Sequence, residues 1–445
     1  MKRYMVYVVA VSLLLIVFLY YWFGIKQVKI DPEAEIKVER TYELEFWDYL
    51  LPLVWEDGTV YQEFVQRIIA DFEAQHPNIK INYYPLAFTT GRELLTQALR
   101  EGKPPDIYSE PFAENMVCHQ GFQIPVSSYL GPEERENYHP GVLALLEAEG
   151  EVWAWPAWIA PMIWVGNCTL LEECGLDVAQ LQAIGWRWEQ FLVAGRQLAA
   201  KELGQNISYL VGPGIEQLFI NLLQNNGITA LPTSLGEKQK FGDAVAETGA
   251  LVANLVTENL WHDYQLGSES WVERFWEGEA ALVGPVYPWV IRGPGSGLHK
   301  IKREFDYVFL PPPHQLGARE YNEPALAVVR VFRQQNFQGS DRIKAAMEFA
   351  RYFSRHQGNA VASFLWSLPA YKSENPTVLE NELSYNNIRF LRQRLSYLLP
   401  LPFHHATKNA ERMWRQEVLP GALAKLLQGN LSPQEFADNV AAGLK

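Results

Sequence analysis

The apolar and polar positions in the first part of the chain change repeatedly between the period of a strand and that of a helix. Residues 42–47 alternate as in a strand, and residues 61–75 carry apolar side chains at helical spacing. A second strand at 79–83, a second helix at 92–100 and a third strand at 106–108 follow. Strands that alternate with helices in this way predict a largely parallel α/β sheet, whose ligands collect at the carboxyl ends of the strands.

The same alternation continues through the rest of the chain. Its predicted elements are helices at 169–174 and 187–200, a strand near 209–211, a helix through Asn225, strands at 307–310 and 325–329, and helices at 341–356, 405–428 and 432–443. Two segments are typical of a chain that crosses between two units: the apolar run 162–166, which follows a Trp-rich turn, and the proline-rich stretch 311–324. The sequence therefore predicts a second α/β unit.

The segment from Trp271 to Trp289, WVERFWEGEAALVGPVYPW, carries the clearest indication of a binding site. A short helix ends at a glycine, residues 280–283 form a short buried strand, and a Gly-Pro turn then leads to Tyr287 and Trp289. Two large aromatic side chains on such a loop are well placed to contact a ligand. The alternative is that they fill the interface between two lobes.

The chain is long, acidic and rich in aromatic residues. Its 445 residues exceed what one hydrophobic core ordinarily organises, so two domains are expected. The 38 Lys and Arg against 51 Asp and Glu give a net charge of −13, which argues against nucleic acid as a partner because phosphate binding requires basic residues. Aromatic residues make up 13% of the chain, and such side chains suit surfaces that contact a partly polar ligand.

The N-terminus predicts a membrane anchor. Lys2 and Arg3 precede an uncharged run, residues 4–24, that is long enough to span a bilayer as a helix. The run ends in aromatic residues and lacks the small-residue cleavage site of a secretory signal peptide. We expect residues 1–24 to form an uncleaved transmembrane helix and residues 25–40 a stalk. The body would then lie on the extracytoplasmic side of the cytoplasmic membrane, held by a single pass.

Several segments, taken in order, resemble family 1 extracellular solute-binding proteins, the sugar-binding receptors of ABC importers. The matching segments are FVQRIIADFEAQHPNIKINYYPL, PPDIYSEPF, WAWPAWIAPMIWVGN, GWRWEQFLVAGRQLA, WVERFWEGEAALVGPVYPW, LPAYKS and GNLSPQEFADNVAAGLK. Each motif is short, but their order across about 400 residues is specific. The resemblance, which extends to the maltose-binding proteins, covers the chain from about residue 41 to its end.

The resemblance implies a two-lobed, periplasmic-binding-protein-like α/β fold of type II. The expected first lobe comprises residues 41–155 and about 304–360, and the expected second lobe comprises 156–303 and about 361–445. A ligand cleft would lie between the lobes and close on binding, since clefts between domains are favoured ligand sites. Flat aromatic side chains stack on the apolar faces of sugar rings, while carboxylates and amides bond the hydroxyls.

Carried over by position, the resemblance assigns nine residues to the ligand. They are Trp47, Asp48, Glu110, Trp155, Trp158, Tyr287, Trp289, Glu323 and Trp366. Glu323 departs from the family pattern, which often shows a Gly-Gly pair at this point. Each residue also has a simpler interpretation, because a Trp on a strand is usually in the core and the carboxylates of Asp48 and Glu110 could be solvated or cap a helix. We expect no catalytic residue, cofactor or metal.

The sequence thus predicts a membrane-anchored receptor that captures a sugar or oligosaccharide and delivers it to an ABC permease. One alternative is a membrane-anchored glycosidase, which would need two carboxylates across a sugar bond; Asp48, Glu110 and Glu323 are the candidates. The other alternative is a ligand sensor that is not coupled to transport. Both would share the same aromatic cleft.

Overall fold

The computed structural model describes residues 29–118, 121–201, 207–263, 271–292, 305–372, 382–401 and 411–443. The strands in these ranges are β1 (Tyr42–Tyr49), β2 (Ile79–Leu86), β3 (Ile107–Glu110), β4 (Gln123–Ile124), β5 (Glu147–Ala148), β6 (Glu151–Val152), β7 (Trp155–Pro161), β8 (Ile163–Asn167), β9 (Ser208–Gly212), β10 (Trp261–Asp263), β11 (Ala280–Val286), β12 (Tyr307–Leu310), β13 (Pro324–Phe332) and β14 (Leu368–Pro369).

The helices in the same ranges are α1 (Tyr61–Gln75), α2 (Gly91–Arg100), α3 (Pro132–Glu136), α4 (Pro140–Ala144), α5 (Cys168–Glu173), α6 (Val178–Ile184), α7 (Trp188–Ala199), α8 (Ile215–Gln224), α9 (Leu235–Thr257), α10 (Trp271–Trp276), α11 (Pro288–Arg292), α12 (Ser340–Phe364), α13 (Glu382–Arg394), α14 (Leu419–Leu427) and α15 (Pro433–Ala442). A π-helical turn, Trp414–Val418, leads into α14. The helical spacing of apolar residues predicted the bounds of α1, and the N-cap of α15 is the predicted capping box of Ser432 and Glu435.

The strands form two main sheets, each with three parallel strands next to antiparallel ones. The first has the order β14-β7-β13-β3-β1-β2, with β4 paired to β13, and the second has the order β10-β9-β11-β8-β12. In the first sheet β1 is parallel to β2 and β3, and in the second β9 is parallel to β10 and β11. Each sheet also contains antiparallel strands at one side. The predicted two-lobed α/β architecture is therefore confirmed.

Strand pairing places the crossings between the lobes at different residues from those expected. β7 pairs with β13 in the first sheet and β8 pairs with β11 in the second, so the chain crosses at Met162 rather than after residue 155. β12 pairs with β8 in the second sheet, so the return crossing lies within residues 311–323 rather than at 303. β14 pairs with β7 and thus belongs to the first sheet. β7 is buried throughout, so its uniformly apolar sequence did not show where the first lobe ends.

The segment that precedes β1 lies against the first lobe. The backbone N–H of Asp31 donates to Ser340 Oγ at 2.9 Å, and Arg40 pairs with Asp341 at 2.7 Å. Ile30 and Ile36 pack on the core of this lobe. The described part of the predicted stalk is therefore folded onto the body, at the N-terminus of α12.

The predicted membrane anchor, residues 1–24, lies outside the described residues. Within the described ranges, no helix combines the length and the apolarity that a bilayer crossing requires.

Candidate functional site

Four aromatic side chains from both lobes meet between the two sheets. Phe112 and Trp158 belong to the first lobe, and Tyr287 and Trp289 belong to the second. The ring centroids of Phe112, Trp158 and Trp289 lie 6.0 Å apart in each pairing, and Tyr287 stacks on Trp289 at 4.6 Å with an interplanar angle of 12°. We call these four residues the aromatic cluster. In this cluster, aromatic side chains of the first lobe face those of the second lobe, and a ligand between the lobes could contact both.

The aromatic cluster is positioned by the ends of strands. Phe112 follows the carboxyl end of β3, and Trp158 lies in β7 just before the crossing at Met162. Tyr287 and Trp289 follow β11, which continues through the expected Gly-Pro turn with an irregular register between Val283 and Val286. Trp289 was expected on a loop, but it lies in the helical turn α11, which begins at Pro288 because proline is favoured at the first position of a helix.

Gly284 allows β11 to approach the neighbouring strand closely. A Cβ at this position would lie 2.7 Å from the Trp164 ring, closer than side-chain carbons pack. Trp164 is itself fully buried, and its indole N–H donates to Asn221 Oδ1 at 3.0 Å, so it cannot give way at low cost. The glycine of the Gly-Pro pair thus serves packing and determines where Tyr287 and Trp289 emerge.

A polar group lies beside Tyr287. Gln224 Nε2 donates to Glu323 Oε2 at 3.5 Å, and Arg415 Nη1 lies 3.8 Å from the same oxygen. Burial raises the pKa of the Tyr287 hydroxyl well above its ordinary value, and the charge of Glu323 raises it further, so the hydroxyl stays protonated. The group combines a carboxylate, a guanidinium, an amide and a phenol, which can bond several hydroxyls of one ligand.

Several buried polar atoms of this region have no hydrogen-bond partner in the described residues. They are Trp158 Nε1, Gln224 Oε1 and Arg415 Nε. Trp158 is 0% exposed, so its indole N–H donor is withdrawn from bulk water. Unsatisfied buried donors and acceptors are costly, and a ligand that pairs with them removes that cost.

A cavity of about 890 Å³ lies beside the aromatic cluster. Its walls come from the end of β1, from α2 and from the residues after β3, and Arg412 of the C-terminal region completes them. Phe88 and Phe112 line it with ring centroids 6.3 Å apart, and both are more than 40% exposed. Its volume lies within the roughly 300–1,000 Å³ of small-molecule sites.

Asp48 does not face this cavity. It is 1% exposed inside the first lobe, where it accepts a hydrogen bond from the Tyr61 hydroxyl at 3.0 Å and one from Ser109. Gln357 Nε2 in turn donates to the Tyr61 hydroxyl at 3.3 Å. Burial raises the pKa of the Asp48 carboxyl from its ordinary value of 3.8 to about 7. We therefore interpret Asp48 as a buried structural residue.

Asp48 should make the stability of the protein fall as the pH rises. The folded state holds the Asp48 proton more tightly than the unfolded chain does, so the free energy of unfolding is expected to decrease between pH 3.8 and about 7 and then level off. An Asp48→Asn variant keeps an acceptor for Tyr61 and is expected to lack this component, which is on the order of 4 kcal/mol over the whole range. Urea unfolding of both proteins from pH 5 to 8 measures the difference, and parallel pH profiles would contradict the assignment.

Glu110 is held by two arginines. Its carboxylate lies 3.0 Å from Arg330 Nη2 and 3.3 Å from Arg92 Nη2, and the Arg330 side chain is completely buried. Arg330 also donates to the carbonyl oxygens of Asn115 and Met116. Glu110 lines the 890 Å³ cavity but is only 5% exposed, so its main contacts are within the first lobe.

The structure does not show the other three tryptophans of the predicted site in contact with one another. Trp155 is 1% exposed within β7, and Trp366 is buried just after α12 with a φ of +52°. Trp47 lies on the outer face of the first sheet, in contact with Tyr84 at 5.5 Å. Of the nine predicted residues, the structure brings Trp158, Tyr287, Trp289 and Glu323 together.

Three residues that the sequence did not single out complete the site: Phe112, Gln224 and Arg415. Phe112 could have been predicted from the sequence, since it stands two residues after Glu110 in the segment PPDIYSEPF. Gln224 and Arg415 lie in helical segments about 100 residues to either side of Glu323, and no local pattern connects them to it.

The fold and the aromatic cluster define a two-lobed α/β binding protein. The chain belongs to the family of bacterial extracellular solute-binding proteins, whose family model matches residues 55–360. No curated protein sequence matches the chain. The family assignment agrees with the resemblance that the sequence motifs showed, and it describes a binding protein rather than an enzyme.

Solved structures of low sequence identity share the fold over nearly their whole length. The sugar-binding protein MalE from Xanthomonas citri is 16% identical, with a TM-score of 0.65 over 90% of this chain and 97% of that one. The ABC substrate-binding protein Lmo0181 from Listeria monocytogenes, solved with cycloalternan, is 15% identical, with a TM-score of 0.63 over 91% and 98%. The GacH receptor of Streptomyces glaucescens, solved with acarbose, is 17% identical, with a TM-score of 0.62 over 91% and 97%.

Proposed function

We propose that this protein captures a neutral sugar or oligosaccharide between its lobes and delivers it to an ABC permease. The observation that carries the proposal is the aromatic cluster, in which rings from both lobes meet around a site that also holds Glu323 and Arg415. Aromatic faces stack on the C–H faces of sugar rings, and charged or amide groups bond the hydroxyls. Three proteins that share the fold bind sugars: MalE is described as a sugar-binding protein, Lmo0181 was solved with cycloalternan, and GacH was solved with acarbose.

The mechanism would be reversible closure of the lobes. Met162 and the segment 311–323 connect the two sheets, and small backbone rotations there would move Trp289 relative to Trp158. A sugar ring would insert between these side chains and pair with the buried indole N–H of Trp158. Closure would exclude water and strengthen each polar contact.

Hydrolysis of the sugar is not part of the proposal. Two of the three carboxylates considered for a glycosidase, Asp48 and Glu110, are engaged inside the first lobe by Tyr61 and Arg330. Glu323 lies beside Tyr287, and Glu110 reaches the cavity beside the aromatic cluster but is paired with Arg330 and Arg92. Hydrolysis by the usual route requires a pair of carboxylates on either side of the bond.

We further propose that residues 1–24 anchor the protein in the cytoplasmic membrane, with the body outside. The uncharged run after Lys2 and Arg3 supports this proposal, as does the description of the family as extracellular. Tethering would raise the local concentration of the receptor near its permease. Extraction of membranes with carbonate, which releases peripheral proteins, tests the anchor. Retention of the full chain in the membrane is expected, and release of the protein would contradict it.

A thermal-shift screen of the full chain in mild detergent tests the ligand class. Monosaccharides, oligosaccharides, polyamines and amino acids would each be added, and one class of neutral sugar is expected to raise the transition temperature. A ligand present at about 100 times its Kd stabilises the folded state by about 2.7 kcal/mol, which is measurable.

The sugar recovered after the screen separates binding from catalysis. Chromatography is expected to return the sugar unchanged after prolonged incubation. A shift with polyamines alone would contradict the sugar assignment, and recovery of cleaved sugar would contradict the receptor function.

A further inference from the structure

The outward face of β1 and β2, at one side of the first sheet, is open to solvent. Along β1, residues Tyr42, Leu44 and Phe46 point into the core, so the residues between them point to the opposite face. The parallel register of β1 and β2 places the outward side chains in three cross-strand pairs: Glu43 with Lys80, Glu45 with Asn82, and Trp47 with Tyr84. The remaining part of this face, around Tyr49, is covered by Leu95 and Leu99 of α2 and by neighbouring apolar residues.

A groove of about 1,140 Å³ runs over this open face. Its floor is formed by β1 and β2, and its walls by residues 101–106 before β3 and 334–338 after β13. Amide side chains are unusually frequent along it: Asn82, Gln334, Gln335, Asn336 and Gln338. We call it the sheet-face groove. Amides both donate and accept hydrogen bonds, as do the hydroxyls of a sugar.

Two aromatic side chains flank the sheet-face groove. Tyr84, which lines it, is 48% exposed, and the ring of Trp47 lies beside it with centroids 5.5 Å apart and an interplanar angle of 36°. The indole N–H of Trp47 donates to Glu45 Oε1 at 2.6 Å, which fixes the orientation of the ring. Adjacent rings held in this way offer apolar faces to a ligand at little cost in conformational entropy.

The charges of the groove exclude an acidic ligand. Asp106 is paired with Arg342 at 2.7 Å. The other charged groups that line the groove are three carboxylates and one ammonium group, those of Glu43, Glu45, Glu101 and Lys103. The surplus of negative charge would repel uronate, sulfate or phosphate groups. Aromatic rings together with neutral amides are the chemistry that binds uncharged sugar units.

We propose that the sheet-face groove is a second carbohydrate site, which binds the chain of a neutral polysaccharide. Its lining residues include none of the aromatic cluster and none of those that line the 890 Å³ cavity, so the two sites are separate. A groove that faces solvent, rather than an enclosed cavity, suits a long polymer, because the rest of the chain can extend beyond it. The site does not depend on which ligand the cleft between the lobes binds.

Native affinity electrophoresis of the full chain in mild detergent tests the proposal. Gels would contain soluble starch, dextran, barley β-glucan or xylan as neutral polymers, and polygalacturonate as an acidic one. The wild-type protein is expected to be retarded by at least one neutral polymer and not by the acidic one. The double variant Trp47→Ala/Tyr84→Ala is expected to raise the Kd for that polymer at least about tenfold, since two apolar contacts are lost.

Three further variants make the result specific. Tyr84→Ala alone removes a half-exposed ring and is expected to weaken retardation without changing the transition temperature. Tyr385→Ala removes a ring that is 53% exposed on α13, and it should migrate like the wild type. Trp289→Ala alters only the cleft and should be retarded as the wild type is.

Some outcomes would overturn the proposal. These are no retardation of the wild type by any neutral polymer, equal retardation of the Trp47→Ala/Tyr84→Ala variant, or loss of retardation in Trp289→Ala alone. The thermal shift with the cleft ligand, measured on the same variants, is expected to stay unchanged when Trp47 and Tyr84 are replaced. Failure at the groove can therefore be told apart from failure of the receptor function.

Discussion

An Arg330→Ala variant is expected to lose about 3–5 kcal/mol of its free energy of unfolding, the range for breaking a buried ion pair. The Arg330 side chain is completely buried, and it donates to Glu110 at 3.0 Å and to the carbonyl oxygen of Asn115 at 2.7 Å. Its removal leaves the Glu110 carboxylate, which is 5% exposed, with only the more exposed Arg92 as a partner. Denaturation in guanidinium chloride measures the loss.

Replacing both partners is expected to restore much of the stability. A Glu110→Leu/Arg330→Met variant fills the same space without buried charges, and such exchanges are often neutral or stabilising. It should therefore unfold at a higher denaturant concentration than either single variant.

The Glu110→Leu single variant and the Glu110→Leu/Arg330→Met double variant together decide between two interpretations of Glu110. If Glu110→Leu keeps the stability of the wild type but loses affinity for the ligand, Glu110 is a ligand contact and the ion pair is secondary. A loss of stability, with ligand affinity kept in the double variant, would show that its role is structural.

A Trp289→Ala variant is expected to bind the cleft ligand at least about 30-fold more weakly, the effect of an aromatic residue at the centre of a binding site. The Trp289 ring contacts Phe112 and Trp158 of the opposite lobe and stacks on Tyr287, so a ligand between the lobes would lose its largest apolar contact. Isothermal titration with the sugar found in the thermal-shift screen measures the change.

Matched variants separate a ligand contact from a packing role. Trp289→Phe keeps an aromatic ring and is expected to bind with intermediate affinity, whereas Trp47→Ala should bind the cleft ligand as the wild type does. Unchanged affinity in Trp289→Ala would remove this residue from the site. A large fall in the transition temperature of the ligand-free variant would show that the ring mainly fills the interface between the lobes.

Part of the site could be predicted from the sequence because it lies in one short segment. Tyr287 and Trp289 follow a helix, a glycine and a strand in immediate succession, so their position at the end of β11 follows from local rules. Gln224 and Arg415 could not be predicted in this way. They reach Glu323 from helical segments far away along the chain, and only the packing of those segments brings the three side chains together.

The sequence by itself determined many of the elements and the family. The period of apolar residues marked α1 and the first strands, and the order of short motifs indicated a solute-binding protein. Both are local properties of the chain, and each can be recognised without knowing what packs against it.

Only the tertiary structure decided which candidate residues face the cleft. Trp47 and Asp48 are neighbours, yet they point to opposite faces of the sheet, because side chains alternate along a strand. Which face is open depends on α2, which covers Tyr49 but leaves Trp47 partly exposed. Glu110 is neutralised by Arg330, which is 220 residues away in the sequence. Burial and charge pairing arise from contacts between distant segments, and no local pattern contains them.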